Sequence, residues 1–206
     1  TYSMTQQITT RGQRRRQALL DAATHTFLQH GYARTTLDMI IAEAGGSRRS
    51  LYDYFGDKRG LFGAVITHHA HKMVHEIRSL ELDELPAREG LERLGHAFFN
   101  ALTDPVNLEL YRLLIAEGSA FAELGQTVYE AGPHMLQEQL LLYLQCLHDR
   151  GQLPGAEPSP HAARQFFGMI KADFQLCALL APSQLPDETA ITAHIQSCVA
   201  LLLDNH

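Results

Sequence analysis

The chain has 206 residues, of which 45% are apolar and 19% are charged. This composition is typical of a globular protein and excludes a wholly disordered chain. The richest apolar runs are about five residues long, far below the roughly 18 that a membrane span needs. Three scattered cysteines without CxxC spacing, Cys146, Cys177 and Cys198, argue against a disulfide framework or a zinc finger and favour a reducing cytoplasm.

The net charge of −6 would by itself argue against a nucleic-acid partner, but the charge is unevenly distributed. Residues 1–60 carry nine basic and five acidic side chains, a net charge of +4. Residues 61–206 carry eight basic and eighteen acidic side chains, a net charge of −10. Such asymmetry indicates a basic head with a task of its own on an acidic body.

Apolar positions recur at helical spacing along most of the chain, which predicts an all-α protein. A first helix is expected over 13–29, and Gly31 is expected to end it. Thr36 is placed to cap a second helix that the Gly45–Gly46 pair ends, and Ser47 to cap a third helix over 48–55. Two short helices joined by a glycine turn form a helix-turn-helix.

The rest of the chain is predicted to form longer helices. Asp57 is placed to cap a fourth helix that reaches Leu80. Glycine and proline breaks separate the remaining segments, which are expected to be helical over 88–102, 106–118, 121–131, 133–149, 161–181 and 187–204. We therefore expect a helix-turn-helix domain at 11–60 and a larger helical domain at 61–206.

The third predicted helix presents polar side chains that fit DNA recognition. In a helix-turn-helix the second helix enters the major groove, and helix N-termini face phosphates. Arginine can bind guanine through two hydrogen bonds, and tyrosine or lysine can reach phosphate oxygens. A cationic arm at the start of the first helix adds affinity without sequence preference; its members are Arg11, Arg14, Arg15 and Arg16. The predicted DNA contacts are Thr36, Ser47, Arg48, Arg49, Ser50, Tyr52, Tyr54 and Lys58.

The segment TTLDMIIAEAGGSRRSLYDYFGDKRGLF, residues 35–62, resembles the TetR family of bacterial transcriptional regulators. The positions that match the family pattern are Thr36, Ile40, Ala44, Gly45, Ser47, Leu51, Tyr52, Tyr54, Phe55, Lys58 and Leu61. Three positions depart from it. Ile41 stands where the family favours alanine, Gly46 replaces a branched apolar residue in the turn, and Arg49 replaces a common glycine.

The resemblance implies a cytoplasmic homodimer that binds a palindromic DNA operator and leaves it when a small apolar or amphipathic molecule fills a pocket in the C-terminal domain. It implies no cofactor and no enzymatic activity. The stretch 108–153 further resembles repressors of multidrug efflux pumps. The residues that could line the pocket are Phe98, Phe99, Tyr111, Phe121, Met135, Tyr143, Phe167 and Phe174, with Asn100, His134 and Gln175 as polar partners.

The predicted helix over 161–181 has two apolar stripes, which implies two packing partners. One stripe would face the core of its own domain. The other, Ala162, Met169 and Leu176, could face a second subunit. A four-helix interface would then also include Ile191, Ile195, Cys198, Val199 and Leu202 of the last helix.

Two alternatives remain open. His68, His71 and His75 recur at a spacing that can gather metal ligands on one helix face, with His69 beside them. A helical metal-binding protein or enzyme is disfavoured by the absence of a Ser/His/Asp arrangement, a glycine-rich phosphate loop or paired Glu-x-x-His motifs. The other alternative is a DNA-binding activator or architectural protein that takes no ligand.

Overall fold

The computed structural model describes residues 2–117, 122–153 and 155–204, and this part of the chain is helical with no strand. The helices of the head are α1 (Tyr2–Arg34), α2 (Leu37–Ala44) and α3 (Arg48–Phe55). Those of the body are α4 (Lys58–Arg78), α5 (Ala87–Thr103), α6 (Pro105–Ala116), α7 (Ala122–Tyr129), α8 (Met135–Asp149), α9 (Pro160–Lys171), α10 (Phe174–Leu180) and α11 (Glu188–Asp204). The predicted all-α fold is confirmed.

Side chains cap the N-termini of α2, α3 and α4 at the residues that the sequence predicts. The hydroxyl of Thr36 accepts a hydrogen bond from the Met39 amide, and Ser47 accepts one from the Ser50 amide, both at 3.3 Å. Asp57 caps α4 through the Gly60 amide at 2.7 Å. Each cap satisfies one of the amides that the first turn of a helix leaves without a partner.

A shared helix joins two hydrophobic cores. The head core contains Leu19, Phe27, Ile40 and Leu51 together with the first half of α4, from Leu61 to Ile66. The body core contains the second half of α4 and the inward faces of α5, α8, α9 and α11. A displacement of α4 therefore acts on the packing of both cores, because interiors are close-packed.

The chain stays helical where a break was expected at Gly132–Pro133. A π-helical turn over Glu130–His134 connects α7 directly to α8. Proline lacks the amide hydrogen that an α-helical turn needs, and π turns appear as single wide turns within α-helices. The predicted break between two helices at Gly132–Pro133 was therefore wrong. The expected break at 118–119 and Phe121 lie outside the described residues.

The predicted helix over 161–181 is in fact two helices. Ala172 has φ 39° and ψ −126°, and among the described residues it is the one non-glycine with positive φ. Its amide closes α9 by donating to the Gly168 carbonyl at 3.0 Å. Arg112 of α6 then donates to the Leu179 carbonyl at 2.6 Å. A cation at a helix C-terminus is favourable, so this contact holds the new helix α10 against α6.

Candidate DNA-binding surface and helical cavity

Helix α3 has a buried face and an exposed polar face. Leu51 and Phe55 anchor it in the head core. On the other side, the Arg49 side chain is 90% exposed and Tyr52 is 48% exposed. The hydroxyl of Tyr54 lies against Gly12 of α1. This arrangement exposes Arg49 and Tyr52 to a duplex laid along α3.

Arg48 already has an intramolecular partner. Its guanidinium binds the Asp38 carboxylate of α2 through two hydrogen bonds, one of them Nε to Oδ1 at 2.9 Å. The hydrogen bond with Asp38 raises the pKa of Arg48 above its ordinary value. A base or phosphate must therefore compete with Asp38 for this arginine. Arg49 has a looser partner in Asp53, with Nε 3.8 Å from Oδ2.

The other predicted contacts also serve the fold of the head. The hydroxyls of Ser47 and Ser50 lie 3.1 Å apart at the start of α3. Lys58 donates to the Ala33 carbonyl at 3.2 Å, and its ammonium lies 4.5 Å from the centre of the Tyr32 ring. Burial lowers the pKa of Lys58. A phosphate must therefore compete for the Lys58 ammonium, whereas the backbone amides at the helix N-termini offer partial positive charge.

Arg15 holds the turn of the helix-turn-helix. Its guanidinium donates to the Ala44 carbonyl at 3.1 Å and also to the Gly45 carbonyl. The guanidinium occupies the space where a side chain on Gly46 would lie. Gly46 has φ 89°, a conformation that glycine adopts readily. This explains why glycine replaces the branched apolar residue of the family pattern, and it gives Arg15 a role that the sequence alone did not reveal.

A cavity of about 670 Å³ lies in the body between α4, α5, α6, α7, α8, α9 and α10. Of the predicted lining residues, Phe98, Tyr111, Phe167 and Gln175 line it. Phe99 and Phe174 do not, because their rings pack against each other edge to face with centres 5.4 Å apart.

Other predicted lining residues lie elsewhere. Met135 packs against the body core rather than in the cavity. Tyr143 borders a smaller cavity of about 270 Å³, and its buried hydroxyl has no hydrogen-bond partner. Asn100 is exposed, and His134 lies 3.7 Å from Glu138 on the surface. Hydrophobicity at helical spacing does not distinguish residues that face a core from those that face a cavity.

The polar groups of the cavity were largely missed from the sequence. His69 of α4 and the two cations of α9, Arg164 and Lys171, line it. Burial lowers the pKa of His69, with nearby His68 and Lys72 acting in the same direction. The Nε2 atom of His69 lies 3.5 Å from the Thr24 hydroxyl of α1, so one cavity residue contacts the head.

Most residues predicted for the dimer interface are buried inside the protomer. Ile195 and Val199 are fully buried in the body core, and Ala162, Cys198 and Leu202 lie in the same core. They are unavailable to a partner, so their assignment to an interface does not fit the structure. Met169 and Ile191 are half-buried, whereas Leu176 of α10 is 58% exposed because the turn at Ala172 redirects that helix.

The histidines of α4 do not converge. His68 faces α1, with Nε2 3.4 Å from the Gln17 side-chain nitrogen, while His71 and His75 are exposed. Within the described ranges, no group of three or more His, Cys, Asp or Glu side chains could hold a metal ion. Nor does the described part of the chain contain a helix both long and apolar enough to cross a bilayer.

A helix-turn-helix head on a larger helical body is the architecture of a DNA-binding transcriptional regulator. Residues 19–65 match the family described as bacterial regulatory proteins, tetR family. Residues 89–205 match the family described as AefR-like transcriptional repressor, C-terminal domain. The chain therefore belongs to the TetR family of DNA-binding transcriptional regulators, which is not a family of enzymes.

Three similar proteins illustrate this membership. A protein from Mesorhizobium loti assigned to the TetR family has a crystal structure that superposes with a TM-score of 0.86 at 29% identity, over 95% of this chain and 98% of that one. The flavonoid-responsive regulator FrrA superposes with a TM-score of 0.76 at 26% identity, over 93% and 96%. YhgD, an uncharacterised helix-turn-helix regulator from Bacillus subtilis, is 26% identical over 142 residues, 69% of this chain and 71% of its own.

Proposed function

We propose that this protein is a cytoplasmic repressor that binds a palindromic operator as a homodimer and leaves it when a small molecule occupies the cavity. The exposed polar face of α3, with Arg49 and Tyr52 outward, carries the proposal. The match of residues 89–205 to a repressor family supports the sign of regulation. A ligand acts in this way only if it binds the DNA-incompetent arrangement more tightly.

The exposed apolar side chains of α10 and α11 support the homodimer. Leu176 and Leu180 of α10 are 58% and 76% exposed, and Leu201 of α11 is 51% exposed. Leu176 and Leu180 are four residues apart and share one face of α10, and an exposed apolar face is typical of an interaction site. Two subunits that pair through this surface about a two-fold axis would place their two heads on the two halves of a palindromic operator.

A direct contact between α4 and α1 supports ligand control. His69 borders the cavity and contacts Thr24, which lies in the helix that carries the cationic arm. A ligand that displaces His69 therefore acts on α1 through a contact, and on the head core through α4 itself. Chains of packed side chains and shared helices of this kind carry coupling between two sites.

Selection of genomic fragments bound by the purified protein tests the proposal. The expected result is a small set of fragments that share an inverted repeat, with weaker binding by Tyr52→Ala. The matched control is Arg93→Ala, which removes an exposed side chain of α5 that does not line the cavity. Unselective recovery of fragments, or equal losses for the two variants, would contradict the proposal. A reporter fused to the selected site then gives the sign of regulation.

A narrower version of the proposal makes the regulated gene a multidrug efflux pump. Its support is the resemblance of the stretch 108–153 to repressors of such pumps and the apolar character of the cavity. It predicts that a selected fragment lies beside a pump gene. Selected fragments that all lie away from pump genes would reject this version and leave the broader one intact.

A further inference from the structure

The side chains that line the 670 Å³ cavity are unbalanced in charge. Among the described residues, the lining includes two cations, Arg164 and Lys171, and no aspartate or glutamate. The chain as a whole has the opposite balance, with 23 acidic and 17 basic side chains. Low-dielectric walls strengthen the field of charges at their edge, so this cavity favours a negatively charged group.

The two cations share one side of α9. They are seven residues apart, which places them about 10 Å apart along the axis and in almost the same direction around it. Phe167 and Gly168 lie between them and also line the cavity. A side chain on Gly168 would meet no atom within 4 Å, so the space between the cations is open.

Neither cation is neutralised within the described part of the chain. The ion pairs there involve other arginines, lysines and histidines, and none joins Arg164 or Lys171 to a carboxylate. Both side chains are exposed at the rim. An entering anion thus gains charge-assisted hydrogen bonds without first breaking an internal ion pair.

The rest of the lining is largely apolar and contains no carboxylate among the described residues. Ile66, Met73, Leu110 and Leu114 belong to it, together with His69. Burial lowers the pKa of His69 and so favours the uncharged form of this imidazole. The cavity thus has an apolar interior and a cationic rim, and its volume lies within the range of about 300–1,000 Å³ typical of small-molecule sites.

We infer that the effector is an anionic amphiphile, whose apolar body fills the cavity and whose carboxylate or similar head lies between Arg164 and Lys171. The inference rests on the proposed ligand control and specifies the chemistry of the ligand. It excludes lipophilic cations as the preferred class, because a cationic head would face two like charges at the rim.

Calorimetric titration with three ligands of equal chain length tests the inference. The ligands are decanoate, decanol and decyltrimethylammonium, each titrated below its micelle concentration. We expect decanoate to bind at least about tenfold more tightly than decyltrimethylammonium, since one charge-assisted contact is of that order. Hexanoate is expected to bind more weakly than decanoate because it buries fewer methylene groups. Equal binding of the anion and the cation, or of the two carboxylates, would overturn the inference.

A double variant, Arg164→Gln with Lys171→Gln, identifies the cations responsible. It is expected to weaken decanoate binding about tenfold while binding of decanol stays unchanged. Arg93→Gln is the matched control, because it removes an exposed cation of α5 that does not line the cavity. A parallel loss for decanol, or the same loss in the control, would contradict the assignment.

Operator binding without ligand separates this inference from the proposed function. The double variant lies outside the head and is expected to bind selected DNA as tightly as the wild type. If operator binding is intact and decanoate shows no preference over decyltrimethylammonium, the inference fails and DNA recognition stands. If no selective DNA binding occurs in any variant, the proposed function fails, whatever the calorimetry shows.

Discussion

Replacing Gly46 by alanine is expected to destabilise the protein more than the same replacement at Gly45. Both glycines have positive φ, 69° at Gly45 and 89° at Gly46. Gly45 also has ψ 175°, and a non-glycine residue in this region costs about 1–3 kcal/mol. At Gly45 a new Cβ would meet nothing within 4 Å, so backbone strain is the whole effect there.

At Gly46 a second cost is added to the strain. A Cβ would overlap the Arg15 guanidinium, which must then release the carbonyls of Ala44 and Gly45. Each hydrogen bond contributes about 0.5–1.5 kcal/mol to the free energy of unfolding. Gly46→Ala is therefore expected to lower that free energy by about 1–3 kcal/mol more than Gly45→Ala does.

Urea unfolding followed by far-ultraviolet circular dichroism measures the difference, since the chain has no tryptophan for fluorescence. Each glycine variant is made in the wild type and in an Arg15→Ala background. The excess cost at Gly46 is expected to vanish in that background, because the guanidinium is already gone. Equal costs of the two replacements in the wild type, or an excess that persists without Arg15, would refute the reasoning.

Two further predictions concern buried polar groups of the body. Tyr143→Phe removes a buried hydroxyl that has no hydrogen-bond partner, so it is expected to raise the free energy of unfolding by about 1 kcal/mol and Tm by roughly 2–4 °C. Tyr129→Phe, at a partly exposed side chain, is expected to change neither quantity. A lower Tm for Tyr143→Phe would contradict this prediction. Burial lowers the pKa of His69 in the folded protein below that in the unfolded chain. Below about pH 6.5 the unfolded chain therefore binds a proton at this histidine more readily than the folded protein does, and the free energy of unfolding falls. The loss of unfolding free energy between pH 7.5 and pH 5.5 is expected to be smaller in His69→Gln than in the wild type, and unchanged in the control His71→Gln, which replaces an exposed histidine. An unchanged loss in His69→Gln would exclude His69 as a cause of the pH dependence.

The features that the sequence predicted well depend on neighbours close in the chain. The caps at Thr36, Ser47 and Asp57 need only a side chain and an amide three residues ahead, so local pattern suffices. The buried face of α3 follows from the spacing of Leu51 and Phe55.

Other features depend on contacts between distant segments. The break at Ala172 is accompanied by a contact from Arg112 to the end of α10, 67 residues away in sequence, and no breaking residue type marks it. For the same reason the sequence pattern places Ala162 at a dimer interface although it lies in the core, whereas Leu176 of the same predicted stripe is 58% exposed. The charge of the cavity rim depends on the packing of α9 with the other helices that line the cavity, although two cations seven residues apart on one helix are visible in the sequence.

Operator binding as a function of salt tests the central claim most directly. Fluorescence anisotropy of a selected duplex gives the affinity between 50 and 200 mM salt, a range over which phosphate contacts release counterions. We expect a steep fall of affinity with salt, a slope smaller by about one for Arg49→Gln, and an unchanged slope for Arg93→Gln. An affinity independent of salt, or equal changes of slope in the two variants, would contradict DNA recognition by the exposed face of α3.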